Sequence, residues 1–172
     1  MGELALDTER LTLRVMRPSD FDGLKKIFGD PKVVASFDIS PFNDEQMRSW
    51  LEGRLNHHAH HGYGLLSVIL KSEGILIGDC GLENLELESG PEIELGYDFR
   101  SDYWNQGYAT EAACAVRDFA FNTLALPSLI SLIRVGNEAS RRVSQKIGMQ
   151  KMDEITLSGT AYWKYGMNAP AP

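Results

Sequence analysis

The stretch from Glu92 to Phe121, EIELGYDFRSDYWNQGYATEAACAVRDFAF, limits the fold more than any other part of the chain. Ile93, Leu95, Tyr97 and Phe99 alternate with other residues at the period of a half-buried strand. A polar turn follows and tightens at Gln106-Gly107-Tyr108-Ala109, and a helix with small residues in its first turns comes next. Strand, glycine turn and helix together aim backbone N–H groups and a helix N-terminus at one point, which suits a phosphate. Gly107 lets a ligand approach the backbone because no Cβ intervenes, although a glycine that merely starts a helix fits the same pattern.

The remaining composition narrows the class. The chain has 172 residues, enough for one domain with its own core, and is 43% hydrophobic and 24% charged. Its net charge of −7 disfavours a polynucleotide partner and suits a cationic or amine-bearing one. Two cysteines, Cys80 and Cys114, make no disulfide framework. The charged start MGELALDTERLTLR has no apolar core of a signal peptide, and Leu6 stands where myristoylation of Gly2 needs Ser or Thr. No apolar run reaches membrane-spanning length. The expectation is a cytoplasmic protein with no membrane and no nucleic acid among its partners.

Read in order, Arg10 to Val15 is a first strand, and Ser19 or Asp20 caps a helix bearing Phe21, Leu24, Ile27 and Phe28. Asn43 or Asp44 caps a second helix through Met47, Trp50, Leu51 and Leu55, which runs into His57-His58-Ala59-His60-His61. His57 and His61 have the spacing of a metal pair but lack a third ligand nearby, so the reading is a solvated helix end and no metal. Tyr63–Leu70 and Gly74–Leu82 form a hairpin, and Leu85–Gly90 a loop before the central strand. Gly96 within that strand is expected to mark a bulge. Leu129–Val135 is a strand covered on both faces. Asn137-Glu138-Ala139-Ser140 opens another helix, ended at Gly148, and strands near 150–157 and 160–167 close the fold. The tail from Asn168 to Pro172 is expected to fray. Phe37, Phe42 and Trp50 either line an acceptor pocket or belong to the core, with core preferred.

YWNQGYATEA at Tyr103–Ala112 resembles the pyrophosphate loop of the GNAT acyltransferase superfamily. IELGYDF before it and NEASRRVSQKIGM (Asn137–Met149) after it extend the resemblance to the branch of ribosomal-protein N-terminal acetyltransferases. The resemblance implies a single α/β domain over 1–172, with its core at 8–168. It also implies a mostly antiparallel mixed sheet of about seven strands, splayed at the central strand, and about four helices. Acetyl-CoA is the implied acyl donor, and an amine-bearing acceptor, either a protein N-terminus or a small molecule, the implied partner. A homodimer is left open.

Carried over residue by residue, the loop motif R/Q-x-x-G-x-G/A falls on Trp104 to Ala109, with Trp104 in place of Arg or Gln. Backbone N–H groups of Asn105, Gln106, Gly107, Tyr108, Ala109 and Thr110 would hold the pyrophosphate. Tyr97, Asp98 and Phe99 would pair with pantetheine along the splayed strand. Asn137 would lie near pantetheine, and Ser140 would protonate the departing thiolate. Ser140 also reads as a helix N-terminal residue bonding its own backbone. The tyrosine acid of other GNAT enzymes is replaced here by Ser144. Glu94, two residues before Gly96 and beside the implied splay, is the candidate general base, with Glu92 on the same face but farther away. A solvated Glu94 that only attracts cations is the plainer alternative. Neither cysteine has a histidine near it in sequence, so direct transfer in a ternary complex is expected rather than an acyl-enzyme. The competing readings are a CoA-binding module without catalysis and a protein using the loop for another nucleotide. The missing G-x-G-x-x-G argues against the last.

Overall fold

The computed structural model describes residues 3–171. Gly2, weighed above for acylation, and Pro172 at the end of the tail lie outside them. In chain order the elements are β1 (Ala5–Asp7), β2 (Leu11–Val15), α1 (Phe21–Phe28), the single turn α2 (Pro31–Val34), α3 (Asp44–His61), β3 (Leu65–Leu70), β4 (Ile75–Leu87), β5 (Gly90–Phe99), α4 (Tyr108–Asn122), β6 (Ser128–Arg134), α5 (Glu138–Lys146), β7 (Gln150–Leu157) and β8 (Thr160–Asn168). The eight strands form one sheet in the order β1-β2-β3-β4-β5-β6-β8-β7. Neighbours are antiparallel except β5 and β6, which run parallel and share a single register pair, Glu94 with Ile130. The splay implied by the sequence is therefore real, and it opens just beyond Glu94.

Helices cover both faces of the sheet. Leu24, Ile27 and Phe28 of α1 and Met47 and Leu51 of α3 pack over Leu65 and Leu76. Ala112, Ala113, Val116 and Ala120 of α4 pack with Leu13, Val68, Ile77 and Leu95 on the opposite face. The small residues of α4 let it lie close to the central strands, which is why β3 and the first half of β4 are buried almost without alternation. Burying such aliphatic side chains contributes about 1.5–3 kcal/mol each before chain entropy opposes it.

Several expectations need correction. An extra strand, β1, precedes the first one expected, and β4 continues through Leu87, where a loop from Leu85 was expected. The alternation Leu85, Leu87 is carried by pairing with Gly90–Glu92 of β5 instead of by burial. The β4–β5 register is unbroken from Gly78–Phe99 to Leu87–Gly90, so Gly96 marks no bulge. Asp20 does not cap α1 with its side chain. Its buried carboxylate accepts bonds from Arg14 at 2.7 and 2.8 Å, the Ser67 hydroxyl at 2.8 Å and the Arg17 N–H at 2.8 Å, tying β2 to β3. Asn43 does cap α3, in a reciprocal pair with Gln46. The end of α3 is not merely solvated, because the Nδ1 of His57 lies 3.1 Å from the Tyr63 carbonyl. Phe42 stacks on Phe28 and Trp50 packs on it at a tilt, both against the core, whereas Phe37 is 45% exposed. The tail is anchored further than expected: Asn168 still belongs to β8, and the Ala169 N–H donates to the Pro127 carbonyl at 2.8 Å.

Candidate active site

The splay between β5 and β6 forms a cleft of about 230 Å³. Its walls include Glu94, Gly96, Tyr97 and Asp98 of β5, Ser131 to Arg134 of β6, and Asn137 and Ser140 at the start of α5. Side-chain bonds hold the two strands apart in a fixed way. The buried Ser131 hydroxyl donates to the Leu95 carbonyl at 2.7 Å, in place of the next rung of the ladder. The Trp104 indole donates to the Phe99 carbonyl at 2.9 Å. On the other side of the strand, the Arg100 N–H donates to the Ile77 carbonyl of β4 at 2.9 Å. Main-chain direction alternates along a strand, so Leu95, Tyr97 and Phe99 turn their backbone to the gap and Asp98 turns its own to β4. Of the three residues expected along pantetheine, Tyr97 and the Phe99 N–H face the gap. Asp98 contributes its side chain to the cleft instead.

Glu94 has the environment of a proton acceptor. Its Oε1 accepts the Leu132 N–H at 3.0 Å across the splay. Burial pushes its carboxyl up to about 7, the Leu132 bond pulls the other way, and the charge of Asp98 adds to the rise. A carboxyl near neutrality matches general-base work at physiological pH. Glu92 is engaged elsewhere, accepting the Lys164 ammonium at 2.7 Å.

On the far side of the gap, Asn137 caps α5: its Oδ1 accepts the Ser140 N–H at 3.2 Å. The capping role considered for Ser140 thus falls to Asn137, and Ser140 lines the cleft. The Tyr97 hydroxyl donates to the Ser140 carbonyl at 3.0 Å, linking β5 to the first turn of α5. Burial raises the Tyr97 phenol above its ordinary value, so it stays protonated as that donor. The Ser144 hydroxyl is fully buried and has no hydrogen-bond partner among the described residues.

The loop of Trp104 to Ala109 meets α4 as expected. Asn105 and Gly107 have φ of 59° and 82°, flanking Gln106, and this alternation turns successive N–H groups to one side. Among the described residues no side chain caps the helix that starts at Tyr108. The N–H groups of Tyr108, Ala109 and Thr110 are therefore available to an anion, and the helix dipole favours one. Trp104 itself is 43% exposed beside this loop.

Two residues that sequence reasoning missed hold the loop. Arg10, just before β2, donates through Nη1 to the Gln106 carbonyl at 2.9 Å and through Nε to Glu111 at 2.7 Å. Its guanidinium lies 4.3 Å from the centre of the Tyr108 ring. Glu111, in the first turn of α4, also accepts the Thr8 hydroxyl at 2.6 Å and the Arg10 N–H at 2.8 Å. Burial works to raise the Glu111 carboxyl, but these bonds together hold it below the usual range. The only sequence signal was a glutamate in a helix's first turn. Its partners stand about a hundred positions earlier and carry no local pattern.

The arrangement is thus an unpaired strand edge and a buried carboxylate facing the same gap, with an uncapped helix end following that strand in the chain. Comparison with known proteins agrees with it. A profile described as "Acetyltransferase (GNAT) domain" matches residues 10–150. The uncharacterized protein YkkB of Bacillus subtilis (strain 168) is 36% identical over 146 residues, covering 84% of each chain. The uncharacterized N-acetyltransferase p20 of Bacillus licheniformis is 32% identical, over 85% of this chain and 82% of its own. The crystal structure of an acetyltransferase from Agrobacterium tumefaciens str. C58 superposes with a TM-score of 0.83 at 30% identity, over 98% of this chain and 96% of that one. Sequence, site geometry and relatives converge, and the chain belongs to the GNAT family of N-acetyltransferases.

Proposed function

We propose that the protein transfers an acetyl group from acetyl-CoA to a primary amine by direct attack in a ternary complex. The observation that carries this reading is the splay itself, which brings a free backbone edge and Glu94 to one cleft, with the uncapped α4 N-terminus following the same strand in the chain. The residues fit the donor. The N–H groups from Asn105 to Thr110 would hold its pyrophosphate, and the Tyr97 and Phe99 backbone would pair with pantetheine. The amide of Asn137 would lie beside that arm. Acetyl-CoA would supply an activated thioester carbonyl.

Glu94 takes a proton from the acceptor ammonium, directly or through water, and leaves a neutral amine to attack. A β5 N–H facing the gap donates to the carbonyl oxygen as negative charge develops there. As the C–N bond forms and the C–S bond breaks, the Ser140 hydroxyl gives a proton to the sulfur and recovers, through water, the second proton that the attacking nitrogen sheds as it becomes an amide. Cys80 is buried among core residues and Cys114 sits on α4 outside the cleft, which supports transfer without an acyl-enzyme.

The test is acceptor-dependent release of free thiol from acetyl-CoA with a panel of primary amines and N-terminal peptides. Acetylated product with matching thiol is the expected result. Tight CoA binding with no acceptor-dependent release would leave a CoA-binding module instead.

A further inference from the structure

From Glu94 onward, few hydrogen bonds cross from β5 to the side of the splay formed by β6 and α5. Among the described residues, Glu94 accepts the Leu132 N–H, the Leu95 carbonyl accepts the Ser131 hydroxyl, and the Tyr97 hydroxyl donates to the Ser140 carbonyl. The Tyr97 bond lies farthest along β5, toward the open end of the splay. β5 and β6 share one register pair, Glu94 with Ile130, so no ladder joins the strands at that level. The phenol of Tyr97 is what bonds β5 to α5 there.

Ser140 is held from two directions. Its N–H donates to the Asn137 Oδ1 at 3.2 Å, and its carbonyl accepts the Tyr97 hydroxyl at 3.0 Å. The first bond is local to α5 and fixes how the helix starts. The second comes from across the splay. Strand alternation puts the Tyr97 side chain on the face opposite Glu94, where it packs with Val143 and Ile147 of α5. Ser144, one helical turn after Ser140, is 0% exposed, and its hydroxyl faces the phenol without a hydrogen bond of normal geometry. A serine at this position leaves the phenol its place under the helix. Burial keeps the phenol protonated, so its bond to Ser140 persists through neutral pH.

We propose that Tyr97 is a positioning residue for thiolate departure: its hydroxyl fixes the first turn of α5 against β5 and so sets the reach from the Ser140 hydroxyl to the sulfur. The inference rests on acetyl transfer at this cleft with Ser140 as the acid, and adds the residue that places that acid. Tyr97 and Ser140 both line the cleft. The Tyr97 backbone faces the proposed path of pantetheine while its side chain holds the helix. The strand beside the thioester and the turn that protonates the sulfur therefore keep one spacing. A proton donor acts only within about 2.6–3.2 Å of the atom it serves. Without the phenol's hydroxyl, α5 loses its bond to β5 at this level and that reach lengthens. A misplacement of about 1 Å costs about 10²-fold in rate, so a fraction of that costs about tenfold.

Tyr97→Phe removes the hydroxyl and keeps the ring in the core, and a melting curve verifies that the fold is retained. At saturating acetyl-CoA, kcat/KM for the amine is expected to fall about tenfold, while CoA affinity measured by calorimetry stays within about twofold. A double-mutant cycle separates placing the acid from supporting the fold. In the Ser140→Ala background, Tyr97→Phe is expected to cost less than about twofold, because the group it places is gone. Ser144→Ala is expected to leave the rate within about twofold of native. A native rate in Tyr97→Phe, with Ser140→Ala slow, overturns this inference and leaves the acid role standing. A tenfold loss from Tyr97→Phe in both backgrounds overturns it too, since the hydroxyl then acts independently of Ser140. A loss in Ser144→Ala as large as that in Tyr97→Phe overturns it in favour of a relay between those two hydroxyls. A slow Tyr97→Phe beside a native Ser140→Ala overturns the inference and the acid role together, and gives the proton to the phenol itself.

Discussion

Substituting Glu94 by Gln tests the chemistry most directly, because the two side chains have nearly the same shape and differ in the ability to take a proton. A carboxyl at about 7 is about one-tenth ionised at pH 6, half at pH 7 and nine-tenths at pH 8. The rate contributed by Glu94 therefore climbs about tenfold between pH 6 and pH 8, whereas an ordinary carboxylate would be fully ionised and flat over that range. The acceptor amine also loses its proton as pH rises, in both proteins. The ratio of kcat/KM between the native chain and Glu94→Gln cancels that contribution and isolates Glu94. We expect the ratio to be about 10²–10⁴ at pH 8 and to fall about tenfold by pH 6. Stability supplies an independent readout. The folded value lies above the ordinary 4.5, so the folded state binds the proton more tightly. The stability associated with that proton is full below pH 4.5 and is lost as pH rises through about 7. At about 1.4 kcal/mol per pH unit, ionising Glu94 costs the fold about 3 kcal/mol at most, a penalty Gln does not incur. Thermal denaturation should find Glu94→Gln gaining on the native chain between pH 5 and pH 8. An unchanged rate and pH profile in Glu94→Gln would refute the assignment of the base, and a pH-independent stability difference would refute the burial argument behind it.

Three further outcomes follow from the same geometry. Arg10→Ala removes the bonds to Gln106 and Glu111 and the contact with Tyr108, so KM for acetyl-CoA should rise about tenfold in steady-state assays with kcat little changed. Gly107→Val forces a branched residue into φ of 82° and brings a Cβ within 3.3 Å of Arg10, so it should cost about 1–3 kcal/mol in urea titrations and weaken CoA binding measured by calorimetry. Ser140→Ala leaves the Asn137 cap in place, so melting should be unaffected while kcat falls; unchanged turnover would remove Ser140 from the acid role.

The local devices were legible because they depend on neighbours in sequence. The helix starts near Asn43 and Asn137 and the glycine turn before α4 depend on residues within about a turn of one another, so residue type and spacing sufficed to place them, while the reciprocal bond from Gln46 and the cap by Asn137 came with the structure. The boundaries that failed were those decided by pairing. Nothing in Leu85–Leu87 separates strand from loop until β5 lies beside it, and Asp20 looks like a cap until Arg14 and Ser67 arrive from two strands. The same holds for Gly96, read as a break in the strand, which instead lies within an unbroken register and leaves space above it.

By itself the sequence determined the family, the order of the main elements and the position of the glycine turn before α4. Each of these is written in contiguous motifs whose chemistry acts over one turn or one strand. Only the tertiary structure decided that Arg10 and Glu111 brace that loop, that Asp98 offers its side chain while Tyr97 offers its backbone, and that Asp79, opposite Asp98 on β4, is buried with no partner among the described residues. Those facts depend on which way a strand faces and on residues tens of positions apart meeting across a sheet. Hydrophobic periodicity reports the first only modulo two, and it does not report the second at all. The ionisation of Glu94 belongs with them: its sequence position proposed a base, but burial across the splay from Leu132 is what raises its carboxyl to about 7.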